Sequence, residues 1–216
     1  DISVGETVCE IGKEEALPKL RIDEPTLQMT FGVNTSPFNG KEGKLITARK
    51  IEERLLKETE RDVSLKVSQL DSESWIVSGR GELHLSILIE NMRREGYELQ
   101  VSKPQIITKE IDGKTYKPFE NVQVDVPEEY MGSVIEMLGL RGGVMQNMDT
   151  KEGQTRINYS MPSRGLIGFM TEFMTLTKGY GIISHTFASY EPMISTNVGQ
   201  RKAGVFVSID SGNATA

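Results

Sequence analysis

The stretch Gly79–Gly96, GRGELHLSILIENMRREG, decides how this chain folds. Leu85, Leu88, Ile89 and Met92 recur at i, i+3, i+4 and i+7, which places them on one face of a helix. Glu82, Glu90, Arg93 and Arg94 fall mostly on the other face, and Gly96 is a natural helix stop. The helix follows a Gly-x-Gly turn, Gly79-Arg80-Gly81. That turn lacks the third glycine and the parallel βαβ setting of a dinucleotide site, so its glycines read as backbone geometry.

Working outward, the same logic yields a complete unit. Leu27, Met29, Phe31 and Val33 alternate as a strand, and an Asn/Ser/Pro/Gly turn runs from Asn34 to Gly43. A helix is expected from about Lys44 to Thr59, with Leu45, Ala48, Ile51 and Leu55 as its apolar stripe. Strands are expected at Val63–Leu70, Trp75–Ser78 and around Leu99–Val101. The order β-α-β-β-α-β is the ferredoxin-like arrangement. The second half repeats it: strand Phe119–Val126, a helix opened by Pro127 with Glu128 and Glu129 at its positive end, and strands Val144–Asp149 and Thr155–Met161. A helix from about Arg164 to Lys178 and a strand Ile182–Tyr190 complete it. The expected fold class is α+β, two tandem ferredoxin-like domains flanked by partial β segments. The residues between them, about Lys109 to Lys117 with a turn at Asp112-Gly113, read as a short linker.

Composition narrows the function. The 216 residues carry a net charge of −6, so any RNA contact is a local basic patch on an acidic body. One cysteine excludes an internal disulfide, and one cysteine with two distant histidines makes no structural zinc site. No apolar run is long enough to span a bilayer as a helix. Asn39–Thr47, NGKEGKLIT, fails as a phosphate loop: Phe38 stands where the first glycine is required, and Leu45 follows Lys44. It reads instead as a flexible basic loop. No carboxylate pair or nucleophile–histidine pair has a spacing that defines an active site. Ile2, Val4 and Val8 alternate near one end, and Val205, Val207 and Ile209 near the other. Both read as strands of larger sheets, so the chain is expected to be a piece of a longer protein.

The segment Pro162–Phe169, PSRGLIGF, is the candidate contact site. Its Gly-x-x-Gly does not lie between two helices as a KH loop does. Arg164 beside Ser163 at a helix start would offer a cation and free amides to a phosphate. The plain structural alternative is that the arginine bonds loop carbonyls or a carboxylate and orders the turn. From Arg141 to Gly181 there are five basic residues against three acidic ones, and Arg201 and Lys202 follow. The expected contact set is Arg141, Arg156, Arg164, Lys178, Arg201 and Lys202. No RNP1 spacing is present, so phosphate and shape recognition are expected, not base reading. Arg80, Glu82 and His84 are the candidates for coupling to a neighbouring domain. Met131, Met137, Met145, Met148, Met161, Met170, Met174 and Met193 read mainly as core filler.

Several long motifs occur together and in order: EEALPKLRIDEPTLQMTFGVNTSPFNGKEGK, GRGELHL, VPEEYMG with LRGGVMQNM, PSRGLIGF and TEFMTLTKGYG. Over essentially the whole chain they resemble the BipA/TypA branch of the elongation factor G-like translational GTPases. The resemblance implies the following layout: residues 1–24 the tail of a β-barrel domain II, 25–109 domain III, 110–194 domain V, and 195–216 the start of a family-specific C-terminal domain. It further implies a cytoplasmic, monomeric protein that binds rRNA and ribosomal proteins, not DNA or membrane. A role in large-subunit assembly and in cold or stress adaptation follows from the same resemblance. GTP and Mg would sit in an N-terminal domain outside this chain, which itself would carry no cofactor and no GTPase activity. The competing reading is a tandem ferredoxin-like regulatory module that binds a small metabolite; a plainer one is a scaffold for other proteins.

Overall fold

In the computed structural model, residues 6–18 and 24–192 are described. The first unit contains β1 (Leu27–Gly32), α1 (Ala48–Arg61), β2 (Lys66–Gln69), β3 (Ser74–Gly79), α2 (Glu82–Arg94), β4 (Gln100–Val101) and β5 (Gln105–Ile106). Its antiparallel sheet runs β2-β3-β1-β4, with β5 also pairing β1. The second unit contains β6 (Lys109–Ile111), β7 (Lys114–Pro127), α3 (Glu128–Leu140), β8 (Val144–Lys151) and β9 (Gln154–Pro162). It continues with α4 (Ser163–Leu166), α5 (Phe169–Leu176) and β10 (Ile182–Pro192). Its sheet runs β10-β7-β9-β8, with β6 on β7. Both orders are that of the ferredoxin-like fold.

Each unit buries its own core. Phe31, Ile51, Leu55, Trp75, Val77, Leu85 and Met92 fill the first; Val122, Val124, Val134, Leu138, Ile157, Phe169 and Phe173 fill the second. These are the alternating strand positions and helix stripes expected from the periodicity. Phe169 and Phe173 stack with centroids 5.4 Å apart. The two cores share no buried residue, but Ile167 of the second unit packs against the first.

Several local expectations are corrected. The helix expected from Lys44 begins at Ala48. Lys44 and Leu45 instead give their amides to the Gly96 carbonyl, and Leu45 bridges Tyr97. The first strand after α1 starts at Lys66, not Val63, because Ser64 folds back on the Asp62 carboxylate. The linker read at Lys109–Lys117 is a hairpin. Asp112 and Gly113 both have positive φ, the geometry of a type I′ turn, so β6 and the start of β7 join the second sheet. The helix expected over Arg164–Lys178 is two helices. Gly168 sits at φ +69 and ψ 1 and breaks it after a single turn. Met145, Met148, Met170 and Met174 are exposed, not core; Met161 is buried. Val8 lies in no strand. Ile2, Val4, Met193, Val205, Val207 and Ile209 lie outside the described residues.

Candidate functional site

The PSRGLIGF segment is built around Arg141. Arg141 Nη1 donates to the carbonyls of Gly165 at 2.9 Å and Ile167 at 3.1 Å, and Nη2 pairs with Glu172 at 2.7 Å. Its guanidinium also lies 5.5 Å from the Phe169 ring centroid, and its side chain is only 17% exposed. The chain can pass this close only because residue 165 is glycine. A Cβ there would stand 2.5 Å from the Arg141 carbonyl oxygen. The ordering of this turn, weighed in the sequence for Arg164, is carried out by Arg141. Arg164 is half-buried, and its side chain makes no hydrogen bond or ion pair among the described residues.

The helix start expected to attract a phosphate is organised differently. Arg164 belongs to α4, a single turn of four residues with no side-chain cap. The longer helix, α5, begins after Gly168, and the Gly168 amide donates to Glu82 Oε2 at 2.7 Å. The anion at that helix start is therefore a carboxylate from the first unit, favoured there by the helix dipole.

The other cations lie away from this turn. Arg156 forks onto Asp125, with Nε–Oδ1 at 2.6 Å, and holds that carboxyl below its usual range. Asp125 in turn faces Ile182 across the sheet, four residues beyond Lys178. Lys178 is exposed, at φ +49, with Nζ 6.0 Å from the Tyr130 ring centroid. Tyr130 lies in the first turn of α3 and Arg141 follows its end, so Lys178 and Arg141 stand most of a helix length apart, roughly 16 Å. The structure thus sets Arg141 and Arg164 at one end of the second unit and Arg156 and Lys178 toward the other; they do not merge into one edge. Arg201 and Lys202 lie outside the described residues.

At the Gly79 turn, the first glycine meets a steric demand. A Cβ there would lie 2.9 Å from Leu85 Cδ2 and 3.0 Å from His84 Nδ1. His84 Nδ1 accepts the Arg80 amide at 3.3 Å, so the proton of the neutral ring sits on Nε2, facing Asp62 Oδ2 at 2.7 Å. Arg80 itself is exposed, and its carbonyl accepts a hydrogen bond from the Thr26 hydroxyl at 2.9 Å. Of the three coupling candidates, Glu82 makes the direct bond between the two units. A second tie is Lys109, which pairs with Glu24 and lies 4.2 Å from the Tyr190 ring centroid.

Between the units lies an open cleft of about 390 Å³, lined by Arg80, His84, Leu83, Ile87, Glu120 and His185 among others. Each imidazole is committed to its own carboxylate: His84 to Asp62, and His185 Nδ1 to Glu120 Oε2 at 2.5 Å. Among the described residues the lining offers only two hydroxyls, Thr26, which donates to the Arg80 carbonyl, and Thr186, and no serine, cysteine or lysine. Among the described residues, no group of three or more His, Cys, Asp or Glu could hold a metal ion, and no helix is long and apolar enough to cross a membrane.

The most consequential residue missed from the sequence is Glu98. It is 8% exposed, and its carboxylate accepts four hydrogen bonds from the Asn34–Gly43 loop. The amide of Gly40, then the side chain of Asn34, hold its pKa down at about 2 against the cost of burial. The loop read as flexible is therefore tied at four points.

Comparison with known proteins agrees with this architecture. The model for elongation factor G domain III matches residues 45–103, and that for the elongation factor G C-terminus matches residues 114–200. The large ribosomal subunit assembly factor BipA of Bacillus subtilis (strain 168) is 62% identical over 218 residues, covering 100% of this chain and 36% of that protein. The protein of the same name from Escherichia coli (strain K12) is 51% identical over 218 residues, with the same coverage. That from Haemophilus influenzae is 50% identical over 216 residues, covering 99% of this chain and 35% of that protein. A solved structure from Thermus thermophilus, 14% identical, matches with a TM-score of 0.53 over 82% of this chain and 42% of that one, a likeness of fold. The chain spans about a third of the length of the curated relatives it matches. With two tandem ferredoxin-like units, both elongation factor G models in order and identity running its full length, the chain belongs to the BipA/TypA family of elongation factor G-like proteins.

Proposed function

We propose that this chain is the ribosome-docking part of a cytoplasmic translational GTPase that acts in assembly of the large ribosomal subunit and in adaptation to cold and stress. The observation that carries the reading is the full-length identity to proteins named as large-subunit assembly factors. In this reading residues 1–24 close a β-barrel domain, 25–109 and 110–194 are domains III and V, and 195–216 open a further domain. GTP and Mg are held by an N-terminal domain outside the chain, which acts as a monomer and hydrolyses no GTP alone. Arg80, Glu82 and His84 relay the orientation set by that domain. Arg164 meets a phosphate of rRNA, Arg141 positions its loop, and Lys178, Arg156, Arg201 and Lys202 supply further contacts with rRNA or ribosomal protein.

Sedimentation of the chain with purified ribosomes across a salt series tests this. About two to three phosphate contacts give a slope of log K against log salt of roughly −2 to −3. Arg164→Ala should weaken binding while leaving the melting curve unchanged. Salt-independent binding, or an Arg164→Ala chain that binds like the parent, removes the cationic contact. The inter-unit cleft favours a second reading, a metabolite-sensing module. A thermal-shift screen of amino acids that yields a saturable ligand, with no ribosome binding, would establish it instead.

A further inference from the structure

The loop Asn34–Lys44 has the geometry of a presented recognition element. Four hydrogen bonds run from it to the Glu98 carboxylate: from Asn34 Nδ2 at 2.7 Å, Gly40 N at 2.9 Å, and Glu42 N and Gly43 N at 3.0 Å each. Within the loop, Ser36 N donates to Asn34 Oδ1, Phe38 N to Ser36 Oγ, Asn39 N to the Ser36 carbonyl and Lys41 N to the Phe38 carbonyl. Gly43 is pressed so close to residue 98 that a Cβ would meet Glu98 Cβ at 2.9 Å. All this order raises one aromatic ring into solvent. Phe38 is 63% exposed, and Lys41 Nζ lies 4.8 Å from its centroid. Lys44 is also exposed at the loop's end.

We infer that Phe38, with Lys41 and Lys44, is a stacking site for an unpaired base of single-stranded RNA, the lysines meeting the flanking phosphates. A flat ring with a cation beside it matches both halves of a nucleotide, and base–aromatic stacking needs no base-specific donor or acceptor. A protein partner would call for a wider apolar surface. Pro37 and Phe38 are the only apolar residues between Asn34 and Lys44, too small a patch for an interface core. The rigid loop also loses little freedom on binding. This deepens the ribosome-docking reading and rests on it for the source of the RNA, though not for the stacking itself.

Two measurements on the whole chain test it. The first is the affinity for a fluorescein-labelled single-stranded oligoadenylate, compared among the parent, Phe38→Leu, Phe38→Trp and Lys41→Ala. Phe38→Leu should weaken binding by about 5-fold to about 150-fold, the span that one lost stack produces, and Phe38→Trp should restore it. The second places a photo-cross-linking benzoylphenylalanine at position 38 and maps its target in the ribosome pellet; an unpaired rRNA nucleotide is expected. Equal oligoadenylate affinity in Phe38→Leu and the parent, or a cross-link to a ribosomal protein, overturns the inference; continued pelleting then leaves the docking reading intact. A chain that binds oligoadenylate through Phe38 yet does not pellet upholds the stacking site and refutes the docking reading. A chain that does neither refutes both.

Discussion

Replacing Arg141 by alanine separates a scaffold from a contact. Its guanidinium bonds two loop carbonyls, stands over Phe169 and pairs with a Glu172 that is 61% exposed. Each carbonyl bond lost from a charged donor costs about 1.5 kcal/mol net, the low end of the range for charged groups. The aromatic contact adds about 0.5 kcal/mol and the exposed ion pair only about 0.3 kcal/mol. Arg141→Ala should therefore destabilise the second unit by about 4 kcal/mol. With a urea slope of about 2 kcal/mol/M, the midpoint falls by about 2 M. Arg141→Lys keeps the charge but not the fork, and should recover about half. Urea unfolding followed by far-ultraviolet circular dichroism measures the shift. Trp75 lies in the core of the other unit, so its fluorescence transition should move less. A loss below about 0.5 kcal/mol would refute the scaffold role. So would a Glu172→Ala chain as unstable as Arg141→Ala, because that outcome would put the energy in the surface pair.

Two further outcomes follow from the same geometry. Gly165→Ala drives a methyl into the Arg141 carbonyl and should cost about 2 kcal/mol, whereas Gly132→Ala, inside α3 with open space around it, should gain about 0.5–1 kcal/mol; thermal melts of the two variants should move in opposite directions. Glu98 has a folded pKa of about 2, below its ordinary 4.5, so its contribution is present above about pH 4.5 and lost as pH falls from there toward 2. Glu98→Gln should flatten the pH dependence of the melting temperature across that window and speed amide exchange at Gly40, Glu42 and Gly43; an unchanged profile would show that the carboxylate does not hold the loop.

The fold is legible because its signals are local. Alternation at Leu27–Val33 and Phe119–Val126, and the 3.6-residue stripe at Leu85–Met92, each report which face is buried without reference to a partner. What escapes a reading of the letters depends on partners distant in the chain. The Asn34–Gly43 loop looks flexible because nothing in its own residues reveals Glu98, 55 to 64 positions away. Arg141 looks like a free cation because its acceptors are backbone carbonyls, which every residue has. The break at Gly168 has one visible signal: glycine is poor in a helix interior and able to adopt positive φ. The helical spacing of Phe169 and Phe173 obscures it.

The same division explains how the two units come to be held against each other. Glu82 reads from the sequence as a residue of the polar face; in the structure it is a first-turn acid of α2, favourable at the positive end of its own helix. Folded, its carboxylate also accepts the amide at the start of α5 in the second unit. One negative charge thus faces two helix starts, each of which it stabilises. The left-handed Gly168 aims that amide outward, and the preceding Ile167 packs on the first core. A continuous helix through Gly168 would commit that amide to the Arg164 carbonyl and remove the docking turn. The helix break that local periodicity hides is therefore one of the features that join the units. Its purpose is visible only once the partner carboxylate, 86 residues earlier, is in place.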